Sequence, residues 1–361
     1  MLMAQGLIGA LNGEVPEAKA APVQPQASQI DPDATVTIQP GLNYDAAEMT
    51  AKRRAMADDC LQPGEQPTSD AETRLKQLYD TMRQSPVGEG IYQRMSDGTR
   101  TMCLQDEVAG GVAVYDPQMR ASMLPKDGGE YGELTVQELA GHEATHANQS
   151  QNPGLEVLRQ RNLVDAIALE GILEADAVAH QLAVSWQLEQ RGIKGSWDPQ
   201  RMGGNFKPSA DAFQASMERS IAEQGPEASF DNGAIREAMG AAFRGWFENK
   251  DLRMVYAERR ATQHPLSQAV VAAKQGDGES WKTSLPRPES LVSAIGHVAG
   301  DQDGIPYLKT ADIERAKDFA RQDLGSIEAA ADQKRQLRRE MMERLQRGEK
   351  LTTEPSLQKT P

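Results

Sequence analysis

The sequence predicts a mainly helical α+β protein in which a small β-sheet packs beside a helix that carries two histidines. Three observations predict it. A series of stretches between Ser69 and Thr262 places apolar residues at the three- and four-residue spacing of a helix with one buried face. Residues 87–125 break that period into short apolar and β-branched runs separated by Gly, Asp and Pro. Directly after them comes His142-Glu143-Ala144-Thr145-His146, inside the helical stretch GELTVQELAGHEATHANQ.

Composition bounds the function. The chain has 361 residues, 39% hydrophobic and 25% charged, enough to bury a real core. Its net charge of −14 argues against a general nucleic-acid binder, which needs a basic face for phosphate. No apolar run approaches the roughly 20 residues of a membrane span. Met1–Leu11 is mildly apolar and Ala18-Lys19-Ala20 resembles a cleavage site, but no Lys or Arg precedes the apolar part. The expected compartment is therefore the cytoplasm, with export as the alternative. Cys60 and Cys103 belong to no C-x-x-C pair. They are read as two reduced, partly buried thiols, to be paired only if the protein is exported.

Four segments follow from composition: an Ala/Pro/Gln-rich lead-in at 1–43, expected to be disordered; a domain at 44–273; a linker with a short helix and loop at 274–309; and a charged helical tail at 310–361. A short helix is expected near Ala46–Asp59. Ser69 and Glu72 form a capping box, after which Leu75, Leu78, Tyr79 and Met82 mark the buried face of a helix ending before Pro86. In 87–125 the runs GIYQRM, RTMCLQ, GVAVY and RASML read as strands. Pro117 stands where a type I turn favours it, so the last two form a hairpin. A free edge of such a sheet could hold an extended peptide by main-chain hydrogen bonds.

The H-E-x-x-H stretch carries the chemistry. Thr135 and Glu138 read as a second capping box, Val136, Leu139, Ala140 and Ala144 as an apolar face, and Pro153-Gly154 as the stop. On a helix, residues four apart lie one turn apart on one face. His142 and His146 can therefore present two imidazoles to one metal ion, with Glu143 beside them as a carboxylate able to take a proton from water.

A third protein ligand is needed, and the next helical stretch, Leu155–Arg191, supplies candidates. Its middle, AIALEGILEADAVAHQLAVSWQL, is apolar throughout except for embedded acids. Carboxylates are seldom buried unless paired or bound to metal. Glu174 is favoured because its small neighbours let the helix approach the metal closely. Glu170, one turn earlier on the same face, is the alternative ligand or a partner for a histidine N–H. Asp176 falls off that face and is read as a surface or capping residue.

Beyond the loop at 196–208, helices are expected at Ser209–Gln224, Gly233–Asn249 and Asp251–Thr262, their bulky residues packing against the pair of metal-site helices. Ser290–His297 reads as a short helix, Asp301–Gly304 as a plain turn, and Thr310–Arg347 as a solvated or partner-binding helix. His180 reads as a core histidine. An oxyanion could be met by His264, His297, Tyr256 or Tyr307, and Tyr307 is chosen because rigid loops often present such groups.

With these residues in place, the order of elements resembles the zincin metallopeptidases, and within them is similar to uncharacterised bacterial metallopeptidase domains of gluzincin type. The likeness rests on YDPQMRASMLP, LAGHEATHANQ and EADAVAHQLAVSWQL, which follow the order small sheet, LxxHExxHxxQ helix, helix with E-A-D-A, across about residues 65–265. It implies a zincin-like core and Zn²⁺ held by His142, His146 and a Glu, with Glu143 as general base. The gluzincin pattern often has Glu-x-x-x-Asp on the second helix. Here the spacing joins Glu170 to Glu174, and position 178 is Val, so the resemblance leaves the choice of glutamate open.

The expected function is zinc-dependent hydrolysis of peptide bonds in a protein or peptide substrate. Two other classes compete with it: a catalytically silent, metal-stabilised interaction module whose C-terminal helix engages a partner protein, and a helical scaffold in which the motif is incidental.

Overall fold

The computed structural model describes residues 59–105, 108, 113–117, 119–126, 133–151, 163–198, 206–275, 288–301 and 303–346. Among these residues the order is β1 (Asp59–Leu61), α1 (Asp70–Met82), α2 (Pro86–Asp97), β2 (Thr101–Gln105), β3 (Val114–Asp116) and β4 (Ala121–Pro125). Seven further helices follow: α3 (Glu133–Gln149), α4 (Leu163–Gln190), α5 (Lys207–Gln224), α6 (Asn232–Glu248), α7 (Lys250–Gln275), α8 (Pro288–Ile295) and α9 (Thr310–Gln346). The protein is thus mainly helical with one small sheet. The readings at 1–43 and of a short helix near Ala46–Asp59 lie outside the described residues, except for Asp59, which begins β1. No described helix is long and apolar enough to cross a membrane.

Helix α4 is the axis. Every residue from Ala166 to Leu188 is buried, as expected for a helix that is apolar all round. Helices α3, α6, α7 and α9 surround it. Its Gly171 lets α6 come close: a Cβ there would lie 3.2 Å from the rings of Trp246 and Phe247.

The sheet has the order β1-β2-β4-β3, with β2 parallel to β4 and the outer pairs antiparallel. The predicted hairpin is β3–β4, and β3 is an edge strand. Tyr79 of α1 ties the helices to the sheet, its hydroxyl donating to the Leu61 carbonyl and accepting from the Met102 N–H. As predicted, Ser69 caps α1, accepting from the Glu72 N–H at 3.1 Å. The Glu72 carboxylate answers one residue further back, on the N–H and hydroxyl of Thr68.

Four sequence expectations change here. GIYQRM is not a strand but part of α2, which Ser85 caps and Pro86 starts. Gly88 and Gly90 weaken its helical signal, and both are used for close approach, Gly90 against the backbone of Gly300. Thr135 does not cap α3, which begins two residues earlier. Cys60 and Cys103 are not free thiols: they face each other across β1 and β2 and form a disulfide. The first half of α9 is not solvated. Ile313, Ala316 and Ala320 are buried, and Asp323 receives two hydrogen bonds from the buried Arg253 of α7, at 3.0 and 3.2 Å.

The interval read as a linker also packs. The Tyr307 N–H donates to the Gly296 carbonyl at 2.7 Å and His297 bridges Pro306, closing a loop whose Tyr307 and Leu308 are buried. Asp301 and Asp303 both pair with Arg236, so this acidic turn is held by an ion pair.

Candidate metal centre

Helices α3 and α4 bring three donors to one point. Nε2 of His146 lies 3.1 Å from Nε2 of His142. One oxygen of Glu174 lies 3.5 Å from Nε2 of His142 and 3.6 Å from Nε2 of His146. Among the described residues these three side chains form the group of His, Cys, Asp or Glu that could hold a metal ion. Two imidazoles and one carboxylate are a donor set that suits zinc. The spacing fits as well, since ligands about 2.0–2.1 Å from a tetrahedral zinc stand about 3.3–3.4 Å from each other.

Glu170 does not join them. Its carboxylate accepts from Arg259 of α7 at 2.5 Å. The same guanidinium lies 5.2 Å from the ring centre of Tyr256. Tyr256 donates its hydroxyl to Glu174, and burial together with that carboxylate pushes the phenol well above its usual range. Among the four oxyanion candidates, Tyr256 is the side chain brought to the cluster. Tyr307 is not: it is buried, and its hydroxyl donates to Asp176 rather than to any of the three donors. His180 is a core histidine whose Nδ1 lies 3.0 Å from the Asp176 carbonyl. His297 stands in the bridge to Pro306, and the side chain of His264 lies outside the described set.

Glu143 is buried beside the two histidines. Burial raises its carboxyl, against the pull of His142 and His146 and of a hydrogen bond from the backbone N–H of Tyr115 in β3. A carboxyl raised in this way suits a general base that works near neutrality. Burial disfavours charge on His146, yet Glu174, with Glu143 and Gln149, more than offsets it and raises the imidazole to about 9. Glu174 itself sits well below its usual value, because His146 and His142 outweigh the effect of burial. A divalent cation bound here would compete with the proton that Glu174 favours on His146.

Behind the donors lies a layer that sequence reasoning missed. Nδ1 of His146 is 2.8 Å from Oε1 of Gln149, and Nδ1 of His142 is 3.2 Å from Oε1 of Gln181. Glu170 was the expected partner for these nitrogens, but two glutamines occupy that place. Gln149 donates to the Leu173 carbonyl at 2.9 Å and to Asp176 at 2.6 Å. Asp176, expected at the surface, is only 2% exposed. Its carboxyl is held below its usual value because His180, Tyr307 and Gln149 outweigh burial. The one available signal was local: Gln149 follows His146 by three residues, on the same helical face.

Residues 51–268 match the sequence model of a family described as "Putative metallopeptidase family (DUF6782)". No curated protein and no solved structure matches the chain. The matched stretch holds His142, His146 and Glu174, and ends before Tyr307.

Proposed function

The chain belongs to that metallopeptidase family, and from this premise we propose that it is a zinc-dependent peptidase with a zincin-like core. The observation that carries the proposal is the triangle of donors, 3.1, 3.5 and 3.6 Å on its sides, formed by His142, His146 and Glu174. These three residues would hold the zinc. When bound there, zinc supplies Lewis acidity, which polarises a scissile carbonyl and lowers the pKa of water toward neutrality.

The chain's own groups do the rest. Glu143 takes a proton from the attacking water and later delivers it to the leaving amine. Its raised carboxyl supports both halves of that cycle. Tyr256 places its hydroxyl beside Glu174, and we assign to it, in place of Tyr307, the stabilisation of the oxyanion. The outer edge of β3 supports extended binding of a peptide, because among the described residues no strand pairs with it and its Tyr115 N–H is directed at Glu143.

The Cys60–Cys103 disulfide supports the exported alternative over the cytoplasm, since such bonds persist in oxidising compartments.

The test pairs zinc content with hydrolysis of a peptide library, on wild type and Glu143→Gln. One zinc per chain in both proteins, with turnover reduced at least about a hundredfold in the variant, is expected. Normal turnover in Glu143→Gln overturns the mechanism. Zinc in the wild type without hydrolysis of any peptide returns the protein to the silent binding module.

A further inference from the structure

Asp176 is a buried acid that the proposed chemistry does not use, and its partners explain why it is there. Two acceptors, the Leu173 carbonyl at 2.9 Å and Oδ2 of Asp176 at 2.6 Å, face one end of the Gln149 amide. Only an NH₂ group can meet two acceptors, so the amide has one orientation. Its oxygen is left pointing at Nδ1 of His146, 2.8 Å away. An oxygen there can only accept, so the proton of a neutral His146 sits on Nδ1. The lone pair of Nε2 then faces His142 and Glu174.

Asp176 is anchored in turn. Its other oxygen accepts from the hydroxyl of Tyr307 and lies 3.2 Å from Nδ1 of His180. Tyr307 comes from the loop after α8, which the Tyr307–Gly296 backbone hydrogen bond closes and which rests against Gly90 of α2. This loop follows the residues that match the family.

We infer that Asp176, acting through Gln149, is the positioning residue that fixes His146 in its metal-accepting tautomer, and that the loop at 296–308 completes the metal site by holding Asp176 with Tyr307. The functional unit therefore extends past residue 273, through the loop and the packed half of α9. The inference rests on the zinc reading above.

The experiment measures zinc affinity of the full chain by competition with a chelator of known affinity. The variants are Asp176→Asn, Gln149→Glu, the double variant Gln149→Glu/Asp176→Asn, and Tyr307→Phe, each checked for a native melting transition. An amide at 176 sets NH₂ against NH₂ unless Gln149 turns and presents its own NH₂ to Nδ1. A carboxylate at 149 sets acceptor against acceptor. Each single change is expected to weaken zinc binding about 10–100-fold. The double change restores donor-to-acceptor order between positions 149 and 176, while the Leu173 carbonyl still faces a carboxylate oxygen, so affinity should recover in part, at least several-fold above that of Gln149→Glu alone. Damage that is merely structural would instead add up, leaving the double variant weakest. In the zinc-loaded protein, the hydrogen-bonded Nδ1 proton of His146 should give a downfield NMR signal in the wild type and the double variant, and that signal should be lost in Asp176→Asn, where the turned Gln149 amide presents NH₂ to Nδ1.

Three results count against the inference. Single variants that bind zinc within about twofold of wild type overturn it, and so does a double variant weaker than both. If Asp176→Asn does not fold, Tyr307→Phe decides: it removes one hydroxyl, is expected to lose several-fold in affinity, and unchanged affinity overturns the role of the 296–308 loop. A wild type that binds no zinc overturns the metal reading itself, which separates that failure from this one.

Discussion

The carboxylate of Glu143 accepts a hydrogen bond from the backbone N–H of Tyr115, so the proposed base on α3 faces the edge strand β3. Proline is tolerated on sheet edges where the N–H is not part of the ladder. Tyr115→Pro removes this donor, which lowers the Glu143 carboxyl, so its pKa must rise further. The acidic limb of the kcat/KM profile should move to higher pH while zinc content stays constant. An unmoved limb would show that the bond does not tune the base.

The two glutamates of α4 should separate cleanly. Glu174→Gln and His146→Ala each remove a proposed ligand, and zinc affinity should fall by more than the roughly hundredfold typical of a supporting residue. Glu170→Gln leaves the donors in place and breaks the pair with Arg259 instead. Its zinc content, read by mass spectrometry, should equal that of the wild type.

Stability should depend on pH in a way that zinc removes. The pKa of His146 is raised in the folded protein to about 9 from an ordinary 6.5. A raised value means the folded state holds the proton more tightly. The resulting stability is fully present below pH 6.5 and is lost as pH rises through about 9. Melting curves in chelator should therefore fall across that window. With saturating zinc the proton is displaced and the alkaline decline should flatten.

The contact between Gly90 and Gly300 gives a prediction remote from the donors. A Cβ on Gly90 would lie 2.1 Å from the Gly300 nitrogen, a backbone atom that cannot swing aside. Gly90→Ala should cost about 1–3 kcal/mol, read from denaturant unfolding. It should also weaken zinc binding, because the displaced loop carries Tyr307.

Breaking the disulfide with Cys60→Ser/Cys103→Ser opens a loop with a sequence separation of 43. A loss of about 2–4 kcal/mol is expected from unfolding curves in the absence of reductant.

What the sequence made legible was local. The Ser69 cap and the buried face of α1, the hairpin β3–β4 and the face shared by His142 and His146 all depend on residues within a few positions of each other. The misread run GIYQRM is short and apolar, and such a run has no period long enough to separate strand from helix. Its glycines looked like breakers, although they serve packing against Met82 and Gly300. Asp176 was misplaced by helical phase, which assumes that α4 has an exposed side, and it has none over Ala166–Leu188. Its bond to Tyr307 spans 131 residues, and no local pattern encodes a partner so distant.

That span also sets an order of events during synthesis. His142, His146 and Glu174 leave the ribosome long before Tyr307, so the contacts behind His146 cannot close on a partial chain. The donors meet early, but their backing arrives late, with the loop at 296–308. A nascent chain would thus carry the three proposed ligands without the support that orients them, and full metal affinity would wait until the loop at 296–308 has been made. The proposed peptidase activity would then depend on a loop made more than a hundred residues after the donors themselves.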